Sequence, residues 1–329
     1  MKVRDDYSVN TDVSEQSPWR RWLITLGKVT ISIASVLAIL QIVSLDTFLA
    51  YLRKTNITWF VAAVTVNLLA QVVSALRFVY VAEALGGSLR FVPALRIHFI
   101  GLWFNQIFPT GFGGDVVKAT MLRKSLGTSL VVRVAILDRF SGLAFMMFAV
   151  AFLLGGYQYL LGDVRITVAL GVLSIGFLLA TAILAVVAAR RKAIRTRWGW
   201  PGKPFVIFAD IYQFRWGKPL YQQVWTSLVV HINGIVGYAF LGKALGLEVD
   251  ALAYVLLVPL VFLVALLPIS FASWGIREIG AVSVFSWIGV PAEQALALSV
   301  LFGILMIVSS TPGLAVMNIR AVKPILNAK

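Results

Sequence analysis

The chain has 329 residues, 60% of them hydrophobic and only 13% charged, with a mean hydropathy of +0.89. A water-soluble chain of this size carries far more charge, so the composition places it in a bilayer. It has no cysteine and two histidines, His98 and His231, which excludes disulfides and thiolate chemistry and argues against a histidine-rich metal site; no cofactor is expected. The formal net charge is +15. Its basic residues flank apolar runs and no nucleic-acid module is present, so anionic membrane lipid, and not nucleic acid, is the expected partner.

In chain order, residues 1–22 form a polar tail containing Arg20 and Arg21. The apolar run Leu23–Leu45 is longer than a signal-peptide core and lacks a small-residue cleavage site, so it reads as a retained span. Five further segments are long enough to cross a bilayer: Ile57–Leu85, Val134–Leu154, Ile166–Ala189, Gln222–Leu245 and Ala292–Met317. Two more are interrupted by Pro, Gly and Ser. Ala94–Leu126 breaks at Pro109–Gly114, and Leu252–Ile288 breaks at Pro268–Ser273. A short tail, 319–329, follows.

With the N-terminus inside and both broken segments as hairpins, 21 of the 29 basic residues fall in inside regions and four in outside loops, Arg53, Lys54, Arg165 and Lys243. Making either hairpin alone a full crossing degrades this positive-inside bias. The resulting order of elements repeats upside down in the second half. FPTGFGGDVVK (Phe108–Lys118) also aligns without gaps to LPISFASWGIR (Leu267–Arg277), pairing Lys118 with Arg277. The predicted fold is therefore an all-α membrane protein. It has six full transmembrane helices and two broken re-entrant hairpins in inverted repeats, about 23–155 and 166–318 within one domain, 23–318. The expected location is the inner (cytoplasmic) membrane, with both termini cytoplasmic.

A helix is expected to restart near Asp115 and near Trp274, with Lys118 and Arg277 in the first turns. Two readings fit. In one, two helix N-termini and two cations bind an anion, one site per repeat; in the other, Asp115 and Ser273 cap their helices and Lys118 snorkels to the cytoplasmic surface. Asp138–Arg139 and Arg277–Glu278 are adjacent pairs whose members point about 100° apart on a helix, so each is expected to find its partner elsewhere: Asp138 with Lys118, or Glu278 with Arg139. They serve either substrate or a buried ion network. Asn67, Gln71 and Ser74 share one helix face that Arg77 continues, a pattern for interhelical hydrogen bonds. Arg190–Lys218 holds eight basic residues and one acid, Asp210. Phe205, Phe208, Ile211, Tyr212 and Arg215 have helical spacing there, fitting either an interfacial helix or a plain cytoplasmic loop. No GxxxxGK, HExxH, GxSxG or acidic metal cluster occurs, so the chain is not expected to be an enzyme.

NQIFPTGFGGDVVKATMLRKSLG, the Asp138–Arg139 pair, LPISFASWGIREIG and the terminal TPG together resemble the lysylphosphatidylglycerol synthase transmembrane region, a flippase-like family, over roughly Ile24 to Met317. The resemblance implies a lipid-handling domain. Its motif positions imply substrate-binding roles for Gly113, Gly114, Asp115 and Lys118, for Asp138 and Arg139, and for Gly275, Arg277 and Glu278. Many relatives carry Arg where this chain has Lys118, a point charge in place of a bidentate fork. The soluble aminoacyltransferase of bifunctional members has no counterpart before Lys329, so synthase activity is not expected. The function implied is translocation of an anionic or zwitterionic phospholipid, glycolipid or polyprenyl-phosphate-linked lipid. The alternative is an accessory subunit that anchors a cytoplasmic glycosyl- or acyltransferase.

Overall fold

Backbone hydrogen bonds at membrane depth have to be satisfied inside the chain, and a helix does so within one segment. In a computed structural model, residues 30, 41, 43–108, 113–190, 210–214, 216–266 and 274–317 are described, and they fold as helix without strand. The helices are α1 (Leu45–Arg53), α2 (Ile57–Ala84), α3 (Phe91–Ile107), α4 (Gly113–Leu126), α5 (Thr128–Phe152) and α6 (Leu154–Leu161). They continue with α7 (Val164–Arg190), α8 (Gly217–Ala244), α9 (Ala251–Ala265), α10 (Ile276–Ser286), α11 (Ala292–Ser310) and α12 (Pro312–Ala315). Five of them are long and apolar enough to cross a membrane: α2, α5, α7, α8 and α11 with its extension through α12. The predicted span Leu23–Leu45 lies almost wholly outside the described residues, as do the two breaks at 109–112 and 267–273, most of Arg190–Lys218 and the C-terminal tail.

Helix boundaries recur at a fixed interval. Both ends of α8 lie 160 residues beyond those of α2 (57 to 217, 84 to 244), and α9 opens 160 beyond α3 (91 to 251). The two 28-residue helices end in the same tripeptide, Ala-Leu-Gly. Gly86 (φ +84°) and Gly246 (φ +71°) take the left-handed turn that only glycine adopts cheaply. The amides of Gly87 and Leu247 then close back on the Ala82 and Gly242 carbonyls at 2.8 and 2.9 Å.

The α2 and α8 helices form the most extensive packing in the molecule and run antiparallel. The Asn56 amide donates to the Ala244 carbonyl at 2.7 Å, and Tyr80 meets Trp225 edge-on at the opposite end, 6.3 Å between rings. The α3 arm packs on α4 and the α9 arm on α10. A large apolar core joins α2, α6, α8, α9, α10 and α11, and a smaller one joins α2, α4 and α5. By contrast α7 exposes Val168, Val172, Leu173, Leu179 and Ile183, as a helix facing lipid does.

Two short helices were not legible as spans. Ser44 caps α1, and the Ser44 amide and Tyr51 hydroxyl hold it to Glu293 and Gln294 at the start of α11. In α6, the buried Tyr157 donates its hydroxyl to the Leu256 carbonyl at 2.6 Å, next to Pro259 in α9.

The approach of α3 to α4 depends on paired glycines. A Cβ on Gly114 would run into the Gly101 carbonyl, and one on Gly101 would come within 2.9 Å of the Lys118 side chain. Gly176 in α7 has nothing nearby. Gly114→Ala is therefore expected to destabilise the protein by about 1–3 kcal/mol through overpacking. Gly176→Ala should be neutral or stabilising by up to about 1 kcal/mol from helix propensity. Thermal melts of the two variants in one detergent check this ordering.

Candidate functional site

The first turn of α4 is built around the glycine contact just described. Because Gly113 and Gly114 admit a helix, α4 starts two residues before Asp115, so Lys118 lies in its second turn, not its first. Asn105 on α3 accepts the Gly114 N–H at 2.6 Å, satisfying one of the amides that a helix start leaves open. Asp115, third in the helix, accepts from Lys118 Nζ at 2.7 Å and from Arg139 Nε on α5. Lys118 is 8% exposed, and its ammonium stands 5.2 Å over the Phe78 ring.

Beside this triad, Arg77 Nε donates to Asp138 Oδ1 at 2.8 Å, and both residues are 7% exposed. Gly142, one turn beyond Asp138, faces the guanidinium at ordinary contact distance. Asp138 and Arg139 do diverge, as neighbours on a helix should, but their partners are Arg77 and Asp115 and not Lys118 or Glu278.

The polar face of α2 forms a column. Gln71 Nε2 donates to Asn67 Oδ1 at 3.4 Å, His98 Nε2 on α3 meets Gln71 Oε1 at 3.1 Å, and Asn67 Nδ2 reaches the Met306 sulfur on α11 at 3.8 Å. Ten residues separate Asn67 from Arg77, so the column spans about 15 Å, half of a ~30 Å hydrocarbon core. His231 and Asn233 instead bond back to carbonyls of their own helix, those of Ser227 and Val229.

The second cluster lies at the start of α10, which opens at Ile276, two residues after Trp274. Gly275 precedes it at φ +88°. Glu278 folds back over the helix start and accepts the Gly275 N–H on Oε2 at 2.6 Å, leaving Oε1 for Arg277, at 2.5 Å from Nη2 and 3.0 Å from Nε, and for the Ser299 hydroxyl at 3.3 Å. Arg277 and Glu278 are thus an internal ion pair, contrary to the expectation from helical spacing. The reason is the fold-back: a capping side chain at a helix start leaves its radial direction, and a long arginine reaches it. Trp274 and Phe302 cover the guanidinium at 4.7 and 5.8 Å.

The two starts correspond by position. Asp115 and Glu278 are each the third residue of their helix, whereas the gapless alignment paired Lys118 with Arg277. Arg139 is the twelfth residue of α5, and the twelfth of α11 is Gly303. A Cβ there would press on Arg277 Nη2 and on the Trp274 ring. The second cluster therefore takes its cation from α10 itself, in space that the glycine leaves open. Ser299 and Gly303, both missed by the motif, break an otherwise apolar run in α11, and that interruption is their signal in the sequence.

Each predicted site residue lies in one of these two clusters. Gly113, Gly114, Asp115, Lys118, Asp138 and Arg139 gather in the first, and Gly275, Arg277 and Glu278 in the second. Lys118 and Arg277 keep separate partners, Asp115 for the one and Glu278 for the other.

The model of the lysylphosphatidylglycerol synthase transmembrane region matches residues 25–313, nearly the whole chain. The chain belongs to that family. A UPF0104 membrane protein of Methanocaldococcus jannaschii is similar, 29% identical over 138 residues, which is 40% of this chain and 41% of that protein. The match thus spans about two-fifths of the relative's length. Family membership and the five apolar helices make this a multi-pass membrane protein, and the two ion clusters sit on the family's transmembrane region.

Removing one member of a buried ion pair strands the other, at about 3–5 kcal/mol. Arg277→Gln should approach that cost, since among the described residues Glu278 is paired with no other cation. Lys118→Gln leaves Asp115 with Arg139, and should cost about 1–2 kcal/mol, the scale of one charge-assisted hydrogen bond. Melting curves of the purified variants test the order, and Lys118→Gln melting below Arg277→Gln would refute it.

Proposed function

We propose that this protein is a flippase-like lipid translocase of the inner membrane. It moves a lipid with an anionic or zwitterionic head group, whether phospholipid, glycolipid or polyprenyl-phosphate-linked lipid, between leaflets without covalent chemistry. The observation that carries this is the first cluster: three buried or half-buried cations and two carboxylates placed where α3 gives way to α4. Ionisable groups at membrane depth are costly, and they mark substrate paths more often than scaffolding.

The proposal extends to topology. Each pair of arms, α3 with α4 and α9 with α10, forms a re-entrant hairpin, and the two sets of helices are inverted repeats around the α2–α8 contact. The 160-residue interval and the antiparallel packing of α2 on α8 support this. In such folds interrupted segments meet at a midplane site, between repeats that rock against each other. Leu23–Leu45 supplies the sixth span, and both termini are cytoplasmic.

A second reading, an accessory subunit anchoring a cytoplasmic transferase, draws on the basic segment after α7. Its described end is fixed to the membrane domain: Arg133 holds Asp210 through both carboxylate oxygens, and Ile211 and Phe214 pack on the α2–α4–α5 core.

Leaflet-resolved lipid analysis of liposomes holding only the purified protein separates the two. Translocation should occur without any partner, and Lys118→Gln should slow it about tenfold, the loss of one charge-assisted contact. Lys118→Arg should retain it. Parental liposomes in which lipid stays in its starting leaflet would support the anchoring role. Reporter fusions after Arg195 and Ile325 should lie in the cytoplasm and those after Leu160 and Gly246 outside; a cytoplasmic signal at Gly246 would remove the inverted repeat.

A further inference from the structure

The charge balance of the two clusters differs. In the second, one cation meets one carboxylate, and every carboxylate oxygen is occupied. In the first, Arg77, Lys118 and Arg139 share Asp115 and Asp138, which leaves one positive charge in excess among the described residues. A buried cluster with net charge is unfavourable until a counter-ion joins it.

One polar atom points the same way. Arg77 Nη1 is buried with no hydrogen-bond partner among the described residues, in a side chain that belongs to a residue only 7% exposed. Among the described residues the cluster therefore holds both an excess positive charge and an unused guanidinium donor.

Within this cluster Asp115 stands where an anion would be held best. It takes the Lys118 ammonium on one oxygen and the Arg139 guanidinium on the other, at the third position of a helix whose dipole favours negative charge. We propose that Asp115 is a built-in placeholder for the phosphate of the substrate head group. A monoanionic phosphate displaces the carboxylate from Lys118 and Arg139, gains Arg77 Nη1 and cancels the excess charge. When the lipid leaves, Asp115 returns, so the empty site is never an uncompensated group of cations. Glu278 has no such role, because it is committed to its own helix cap and its own arginine. This inference rests on the lipid-translocating reading of the same site and assigns Asp115 the role of competitor where the family motif implies a ligand contact.

The test is equilibrium binding and thermal melting of the full chain in nanodiscs of phosphatidylcholine, with phosphatidylglycerol or inorganic phosphate added, for the parent and Asp115→Asn. Glu248→Gln, which removes an exposed carboxylate just beyond α8, controls for overall charge. Loss of the competing carboxylate should tighten phosphatidylglycerol binding about tenfold or more. The anion should also raise the melting temperature of Asp115→Asn more than that of the parent, with Glu248→Gln matching the parent. Equal or weaker binding by Asp115→Asn overturns the placeholder and leaves translocation standing. A variant that unfolds in phosphatidylglycerol as well as in phosphatidylcholine also overturns it, since no anion then replaces the carboxylate. Stabilisation of Asp115→Asn by inorganic phosphate alone would keep the placeholder and reject a lipid as its ligand.

Discussion

A charge at membrane depth needs a counter-charge within a few ångströms, and much of this molecule is arranged to supply one. Arg77 on α2 is tied to Asp138 on α5, and Arg139, the next residue along α5, is tied to Asp115 on α4. These two bonds fix α5 against both the long central helix and the second arm of the first broken segment. Lys118 closes the arrangement from within α4. The Arg77–Asp138 pair is buried, so the helices that carry it are held in their relative rotation, and an apolar core of Phe78, Leu122, Val131, Val134 and Leu137 joins the same helices.

Such ion pairs form only if the backbones come close enough, and small residues set that distance. Gly101 and Gly114 let α3 and α4 meet main chain to main chain, and Gly313 does the same where α12 meets the Phe99 carbonyl. Between helices in lipid the hydrophobic effect is weak, so close packing and interhelical hydrogen bonds provide the cohesion. The Asn67–Gln71–His98 chain is the hydrogen-bonded counterpart of the glycine contacts, and its Asn67–Met306 contact joins the first half of the molecule to α11.

The two clusters solve one problem differently. Both place an acid third in a helix that follows a break, where the helix dipole favours it. In the second half the acid is consumed locally, by its own cap, its neighbouring arginine and Ser299, under a Trp274 and Phe302 cover. In the first half the acid looks outward to another helix, and Arg139 is half-buried, its side chain 31% exposed. Among the described residues the second cluster is thus neutral and covered, whereas the first carries the excess positive charge and the more exposed arginine.

Hydropathy alone determined that this is a multi-helix membrane protein, because 20-residue apolar runs have one stable destination. Pro109 and Pro268 marked interruptions of the apolar pattern in the sequence, which lie outside the described residues, and Pro259 within α9 shows that a proline alone does not end a helix here. The polar face Asn67–Gln71–Arg77 was also legible, since helical periodicity needs no partner to be seen. The matching Ala-Leu-Gly endings at residues 84–86 and 244–246 were an available signal of the 160-residue interval between α2 and α8. What only the tertiary structure decided was which charges meet. Helical geometry correctly separates Asp138 from Arg139, but it separates Arg277 from Glu278 as well, and there the fold-back of a capping side chain overrides it. The pairing of Asp138 with Arg77, 61 residues away, depends on how α2 and α5 are rotated against each other. That rotation is a property of the core packed between the two helices, and no local stretch of sequence contains it.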